Sequence, residues 1–345
     1  MTTFAHQAAQ IDVAALSKYL EARLPGFRGP VEAQKTPTGQ SNPTFILATP
    51  SGRYVLRKKP PGQLLKSAHQ VDREYRVMKA LEGTDVPVPR MLHLAEDDSV
   101  IGTAFYVMEF VEGTVFWDPA LPELTNAQRT RLYDEQNRAL AALHSVEPAE
   151  VGLADFGRAG SYFSRQRDRW TKQYRASETE RIPDMETLIA WLEENEPPDD
   201  GRAGLVHGDY RIDNMIFAPD GSRLRAIIDW ELSTIGHPFS DLAYQCMQWR
   251  FPNQEAMRGL AGVDRTQLGI PSEEDYVARY CARRGLPEIP HWNFCLAFSF
   301  FRLAAIVQGV KKRALEGTAS NPEKALKSGE RVPLMARMGV QVIAG

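Results

Sequence analysis

The sequence predicts an α+β fold of two lobes, a small antiparallel β-sheet lobe followed by a mainly helical one. The 345 residues exceed what a single core of ordinary size organises. Strand-like runs dominate the first hundred positions, whereas helical spacing of apolar residues dominates after them. The change falls near Gly113, which divides the chain into an N-terminal lobe, residues 1–111, and a C-terminal lobe, residues 112–345.

The elements follow in order. Val13, Leu16, Leu20 and Leu24 recur at helical spacing and predict an opening amphipathic helix. Thr44 to Ala48 and Arg53 to Arg57 flank Pro50-Ser51-Gly52 and predict a hairpin, with a loop of small polar residues, Thr38 to Asn42, before it. Ser67, with Gln70 three residues on, predicts a capped helix with Val71, Tyr75 and Met78 on its apolar stripe, stopped by Gly83. Val86 to Leu94 is punctuated by proline and extended, and Ala104 to Val111 is a strand. Helices are then expected after Thr125 (with Gln128 as its box partner), over Tyr162–Arg175 and Met185–Glu194, from Pro238, from Ser272, and through Phe294–Lys311. Asn214–Phe217 and Leu224–Asp229 predict a second hairpin turned by Pro219-Asp220-Gly221. The tail after Glu316 is expected to be mobile.

Bulk properties narrow the function. With 43% hydrophobic and 25% charged residues and a net charge of -3, the composition is that of an ordinary globular protein and does not suggest a nucleic-acid partner, which would favour a basic face. Cys246, Cys281 and Cys295 are odd in number and widely separated, which argues against a disulfide framework and for a reducing cytoplasm. Met1 to Gln10 lacks the pattern of a signal peptide. Phe294 to Val307 reads as a buried helix, too short to span a membrane and interrupted by Arg302. No membrane partner is expected, and nothing in the sequence sets the oligomeric state.

The chemistry concentrates in Leu205-Val206-His207-Gly208-Asp209-Tyr210-Arg211-Ile212-Asp213-Asn214 and Ile227-Ile228-Asp229-Trp230-Glu231. Phosphoryl transfer from ATP needs a carboxylate to orient the attacking hydroxyl and hard oxygens to hold magnesium against the phosphates. A hairpin brings the loop before it and the residue after it to one end, which would put Asp209, Asn214 and Asp229 around one cavity. An isolated Asp-x-x-x-x-Asn is common in turns, where both side chains cap backbone groups. A metal-hydrolase reading of His207 and Asp209 would need further ligands, and His237 and His291 stand alone.

H-G-D-x-x-x-x-N followed by I-D-W-E resembles the catalytic and metal-binding loops of aminoglycoside phosphotransferases and their choline-kinase-like relatives, which share the bilobal protein-kinase fold. The resemblance implies Asp209 as catalytic base, Asn214 and Asp229 as magnesium ligands, and His207 as a residue that shapes the loop. In that fold Arg57 sits where the phosphate-pairing base belongs, with Lys59 on the same strand face in reserve. Glu74 is the implied partner that orients it, with Asp72 as rival. The Gly39-Gln40-Ser41-Asn42 loop lies where phosphates are covered, so backbone N–H groups of Ser41 and Asn42 would cradle them. Neither a Walker motif nor the glycine pattern of protein kinases is present. Met108-Glu109-Phe110-Val111 reads as the hinge, with backbone groups of Glu109 and Val111 for adenine, and Asp241 as a brace for the catalytic loop. ATP is the expected donor, with GTP left open.

The resemblance narrows further over roughly residues 30–320. Tyr54 to Gly62, Ser67-Ala68-His69, Val71 to Tyr75 and Ala297 to Gly309 are similar to kinase-like domains fused to some acyl-CoA dehydrogenases. This implies a small-molecule alcohol as substrate, of the hydroxyacyl-CoA or hydroxy-acid kind. An amino-alcohol or aminoglycoside kinase and a catalytically silent nucleotide-binding module are the alternatives. Arg165, Arg167, Arg169, Lys172 and Arg175 face a single acid, Asp168, in the segment Tyr162–Arg175. Such a helix would suit a CoA phosphate better than a polycation if it lines the acceptor cleft, and is otherwise a solvated basic face. Trp170, Trp230 and Trp249 could shape an apolar cleft or fill the core.

Overall fold

Asp12 opens the first helix, α1 (Val13–Arg23): its Oδ1 accepts from the N–H groups of Ala14 at 3.1 Å and Ala15 at 2.9 Å, satisfying donors that a helix start leaves open. The computed structural model describes residues 11–36, 42–60, 70–254, 257–319 and 321–345. They fall into two units, the first running to Gly113 and including Arg225–Glu231, the second comprising Thr114–Leu224 and Leu232–Gly345.

The first unit continues with β1 (Glu32–Lys35), β2 (Thr44–Thr49), β3 (Gly52–Lys58), α2 (Val71–Leu81), β4 (Met91–Ala95) and β5 (Phe105–Glu109). The strands form one antiparallel sheet in the order β1-β2-β3-β5-β4. Thr49 lies opposite Gly52, so the expected hairpin turns on Pro50 and Ser51. Because strand side chains alternate, Phe45, Leu47, Leu56, Phe105 and Val107 enter one apolar core with Leu16 and Leu20 of α1. One step out of phase, Arg57 and Tyr106 are cross-strand neighbours that both contact Glu74 on the buried stripe of α2. The helix described begins at Val71 with Gln70 as its N-cap residue and no side-chain cap bond; Ser67, the expected start, lies outside the described residues.

The second unit contains α3 (Asn126–Leu143), α4 (Tyr162–Ser177), α5 (Pro183–Glu194), β6 (Gly204–Val206), β7 (Met215–Phe217), the start of β8 (Leu224–Ile227), β9 (Thr234–Gly236), α6 (Phe239–Cys246), β10 (Asn253–Gln254), β11 (Met257–Arg258), α7 (Arg265–Leu268), α8 (Glu273–Arg284), α9 (Trp292–Leu315), α10 (Pro322–Gly329) and α11 (Val332–Ala344). The caps at Thr125 and Ser272 form as expected: Thr125 N–H donates to Gln128 Oε1 at 2.8 Å, and Ser272 Oγ accepts from Asp275 N–H at 3.0 Å. The apolar stretch around Phe298 is longer than expected. It runs 24 residues, enough by length and composition to cross a membrane, yet it packs against α4, α5, α6, α10 and α11 with Leu296, Phe300 and Phe301 fully buried. The tail expected to be mobile instead forms α10 and α11. Val332, Met335, Ala336, Gly339 and Val342 make a helical stripe that α11 buries, with α9 among its neighbours.

Candidate active site

In the first unit, β3, α2 and the returning segment Arg225–Glu231 build a buried ionic network. Arg57 is 8% exposed and Glu74 1%. Arg57 Nε lies 2.9 Å from Glu74 Oε2, and its Nη2 lies 2.6 Å from Asp229 Oδ1 and 3.8 Å from Glu231 Oε2. Burial opposes the charge on Arg57, but Glu74, Asp229 and Glu231 outweigh it and hold the guanidinium above its ordinary pKa. Glu74 also accepts from Tyr106 Oη at 3.0 Å and from Asn42 Nδ2 at 2.5 Å. Burial pushes its carboxyl up against the pull of Arg57; with the Arg57 guanidinium paired to it and two hydrogen-bond donors on its oxygens, we place the negative charge there at neutral pH. Asp229 adopts a left-handed backbone, φ +67°, uncommon for a side chain with a Cβ.

The structure therefore puts Arg57, Glu74 and Asp229 together. Lys59 approaches the rival acid, Asp72, at 3.9 Å. Asn42 is fully buried with its amide on Glu74, while Ser41 lies outside the described residues. Glu109 N–H is taken by Arg90 O at 3.0 Å, and Val111 N–H makes no hydrogen bond among the described residues.

In the second unit, β6 pairs with β9 and delivers the loop that starts at His207. Asp241, on α6 and fully buried, accepts from His207 N–H at 2.6 Å and Gly208 N–H at 2.8 Å. Its Oδ2 also meets His144 Nε2 at 3.4 Å, and His144 Nδ1 contacts Tyr280 Oη at 2.7 Å. Burial works to raise the Asp241 carboxyl, but His144 and His207 hold it below the usual range. Gly208 has φ +84°, and a Cβ there would sit 2.5 Å from Leu232 O, so the turn admits only glycine without displacement.

Asp209 sits at the centre of this loop. Its N–H donates to His207 Nδ1 at 3.1 Å. Asn214, at the end of the short 3₁₀ turn Ile212–Asn214, donates Nδ2 to Asp209 Oδ2 at 2.8 Å and to Asp209 O at 2.9 Å. Arg211 Nε lies 3.3 Å from Asp209 Oδ1, and Tyr244 hydrogen-bonds the same carboxylate. Burial would raise this carboxyl; Arg211, Tyr244, His207 and Asn214 together hold it below the usual range, hence ionised. Tyr210 points away, its hydroxyl on Gln136 O at 2.7 Å. Tyr244 and His144 carry no motif in the sequence and become visible only in the fold. Trp170, Trp230 and Trp249 are buried.

A five-stranded antiparallel sheet with its arginine–glutamate pair, joined in sequence to a helical unit with an Asp–Asn loop braced by a buried aspartate, defines a kinase-like phosphotransferase fold. The chain belongs to the phosphotransferase enzyme family, whose model matches residues 32–280. It is 48% identical to mouse acyl-CoA dehydrogenase family member 10 over 94% of this chain and 30% of the relative. Human acyl-CoA dehydrogenase family member 11 is 43% identical over 96% of this chain and 43% of its own length. The chain thus spans less than half the length of these curated relatives. Among solved structures, a candidate aminoglycoside phosphotransferase from Ralstonia eutropha JMP134 is 48% identical, with a TM-score of 0.87 over 97% of this chain and 99% of that one. A spectinomycin phosphotransferase in complex with ADP and spectinomycin shares the fold at 13% identity and a TM-score of 0.64, over 96% of this chain and 99% of that one.

Proposed function

We propose that the protein transfers the γ-phosphoryl group of ATP, with magnesium, to a hydroxyl of a small molecule, and that this acceptor is a hydroxyacyl-CoA or a related hydroxy acid. The observation that carries the reaction is the Asp209–Asn214 pair, an ionised carboxylate whose position is set by an amide. In a loose phosphoryl-transfer transition state the base has only to orient the hydroxyl and accept its proton late, which a carboxylate of low pKa can do. Magnesium prefers hard oxygen ligands, and this chain offers them. Asn214 commits Nδ2 to Asp209, leaving its Oδ1, and Asp229 keeps Oδ2 outside its contact with Arg57. When bound, the metal would neutralise charge on the β- and γ-phosphates. Arg57, held by Glu74, would steady the same phosphates. Val111 N–H and the Glu109 carbonyl would serve the adenine edge, and the Ser41–Asn42 backbone the phosphates. The acceptor class draws on the acyl-CoA dehydrogenase relatives. Three buried free thiols suit a reducing cytoplasm.

The test is magnesium-dependent ADP release against hydroxyacyl-CoAs, aminoglycosides, choline and homoserine. Stimulation by a hydroxyacyl-CoA is expected, with turnover falling about 10²–10⁴-fold in Asp209→Asn. Stimulation by an aminoglycoside or choline instead would replace the acceptor class. Nucleotide binding without turnover would leave a silent module, and no nucleotide binding at all would sink the reading.

A further inference from the structure

Helix α4 carries five cations, and the fold shows which are committed. Arg167 pairs with Glu196 at 2.6 Å and Asp168 at 2.9 Å. Arg175 bonds Glu186 at 2.6 Å and Glu178 at 3.1 Å. Arg165 donates to Arg158 O at 2.7 Å, and Lys172 is exposed. Arg169 makes no hydrogen bond or ion pair among the described residues, and its guanidinium carbon lies 5.3 Å from the centre of the Trp170 ring. The same indole is shared by Arg302 of α9, at 5.7 Å.

Arg302 is 4% exposed, yet it too has no acid partner among the described residues; the rings of Trp170 and Tyr244 lie against it, the latter at 5.5 Å, its charge acts on Tyr162, and its Nε is buried with no hydrogen bond among the described residues. A buried charge without a counter-ion is costly. Burial and the charge of Arg302 both lower the pKa of Arg169, as expected of two cations close together. The carboxylates of Asp209 and Asp241 act on the neighbouring Tyr244 and Tyr162 but form no ion pair with either arginine. Tyr244 links this pair to the candidate base, since its ring bears Arg302 while its hydroxyl bonds the Asp209 carboxylate.

We infer that Arg302 and Arg169 form an anion subsite for the phosphoryl acceptor, which is therefore a hydroxylated molecule bearing a carboxylate or phosphate. The inference rests on the reading of Asp209 as the residue that orients the acceptor hydroxyl. Guanidinium groups match the two-oxygen geometry of carboxylates and phosphates, and two uncompensated cations repel an amino sugar or choline.

Calorimetric binding of 3-hydroxybutyrate, 3-hydroxybutyryl-CoA and choline to the full chain tests it, in wild type, Arg169→Ala, Arg302→Met, Arg302→Lys and Asp209→Asn. An anionic probe should bind wild type and Asp209→Asn and bind about 10–100-fold more weakly to Arg169→Ala and Arg302→Met, with Arg302→Lys between. Binding of the free acid points to its carboxylate, and binding of the thioester alone points to a CoA phosphate. Equal binding to wild type and Arg169→Ala, tighter binding of choline, or failure of both anions to bind wild type overturns the subsite. Arg169 is exposed, so that variant does not depend on a core substitution being tolerated. The kinase reading fails separately: an intact binding pattern with no phosphoryl transfer removes the reaction and leaves the subsite.

Discussion

Replacing Glu74 should test whether Arg57 is held by a buried ion pair or only lies near one. Glu74→Ala removes the ion-pair partner of Arg57 and the acceptor of Tyr106 Oη and Asn42 Nδ2, in a buried place. Arg57 would keep Asp229 at 2.6 Å and the more distant Glu231. Deleting one partner of a buried pair costs about 3–5 kcal/mol. At a urea m-value of about 2 kcal/mol/M, the midpoint should fall by about 1.5–2.5 M. Glu74→Gln keeps the shape: its Oε1 can accept from Arg57 and Tyr106, and its Nε2 can meet Asn42 with that amide turned over. Only the charge is lost, about 1.5–3 kcal/mol. The Gln variant should also raise KM for ATP if Arg57 steadies the phosphates.

The decisive assay is a double-mutant cycle by urea denaturation with Arg57→Met and Glu74→Leu. Apolar side chains of similar size often replace a buried pair at little cost, so the double variant should be more stable than the summed singles by about 2–3 kcal/mol. Additivity within about 0.5 kcal/mol would refute the reasoning, because residues in direct contact should couple by more than that.

Three further outcomes follow. Asp241→Asn offers one oxygen where His207 and Gly208 present two N–H donors, so it should cost about 1–3 kcal/mol and lower kcat while ATP still binds; an unchanged kcat in initial-rate assays would show that Asp241 does not hold the loop. Gly208→Ala forces a left-handed alanine against Leu232 O and should lose at least about 1–2 kcal/mol in thermal or urea melts. Burial holds His144 and His237 below their unfolded pKa of about 6.5, so the unfolded chain takes up their protons first; stability is full above that pH and falls as pH drops towards the folded values. Asp209 and Asp241, also depressed, add stability present above about pH 3.9 and lost as pH falls through their folded values. Urea midpoints should therefore begin to decline near neutrality, with His144→Gln reducing that first slope.

Much of the first unit was legible because alternation and helix periodicity are local. Arg57 and Lys59 read as one strand face, and Glu74 as a neighbour of the Val71, Tyr75 and Met78 stripe, before any strand order was known, although in the fold it is Glu74 rather than Tyr75 that is buried with Val71 and Met78. The order β1-β2-β3-β5-β4 was not legible, since β5 pairs with β3 across an intervening helix and strand. Asn42 was read as backbone for phosphate; nothing in a Gly-Gln-Ser-Asn string signals that its amide is buried on Glu74, 32 positions away. The stripe of α11 was present in the sequence but followed a charged stretch, Glu323 to Arg331, that hid its period.

The acceptor side shows why charge counted over a window misleads. Five cations against one acid on α4 suggested a uniformly basic face, but the acids that neutralise Arg167 and Arg175 come from Glu196 and Glu186, outside the helix. Tertiary structure subtracts these two; of the other three, Arg165 donates to a backbone carbonyl, Lys172 is exposed, and Arg169 shares the Trp170 indole with Arg302. Arg302 was readable in a different way. It lies in a stretch with no Asp or Glu between Glu288 and Glu316, so a local counter-ion was never available to it. That isolation served as an argument against a membrane span, but it carried a second meaning. A cation in an apolar helix must reach solvent, find an acid from another element, or wait for a ligand. Arg302 is buried and no acid pairs with it among the described residues, and the hydroxyl of the tyrosine beneath it is on Asp209. The third possibility is the one that the chemistry of phosphoryl transfer to an anionic acceptor would use.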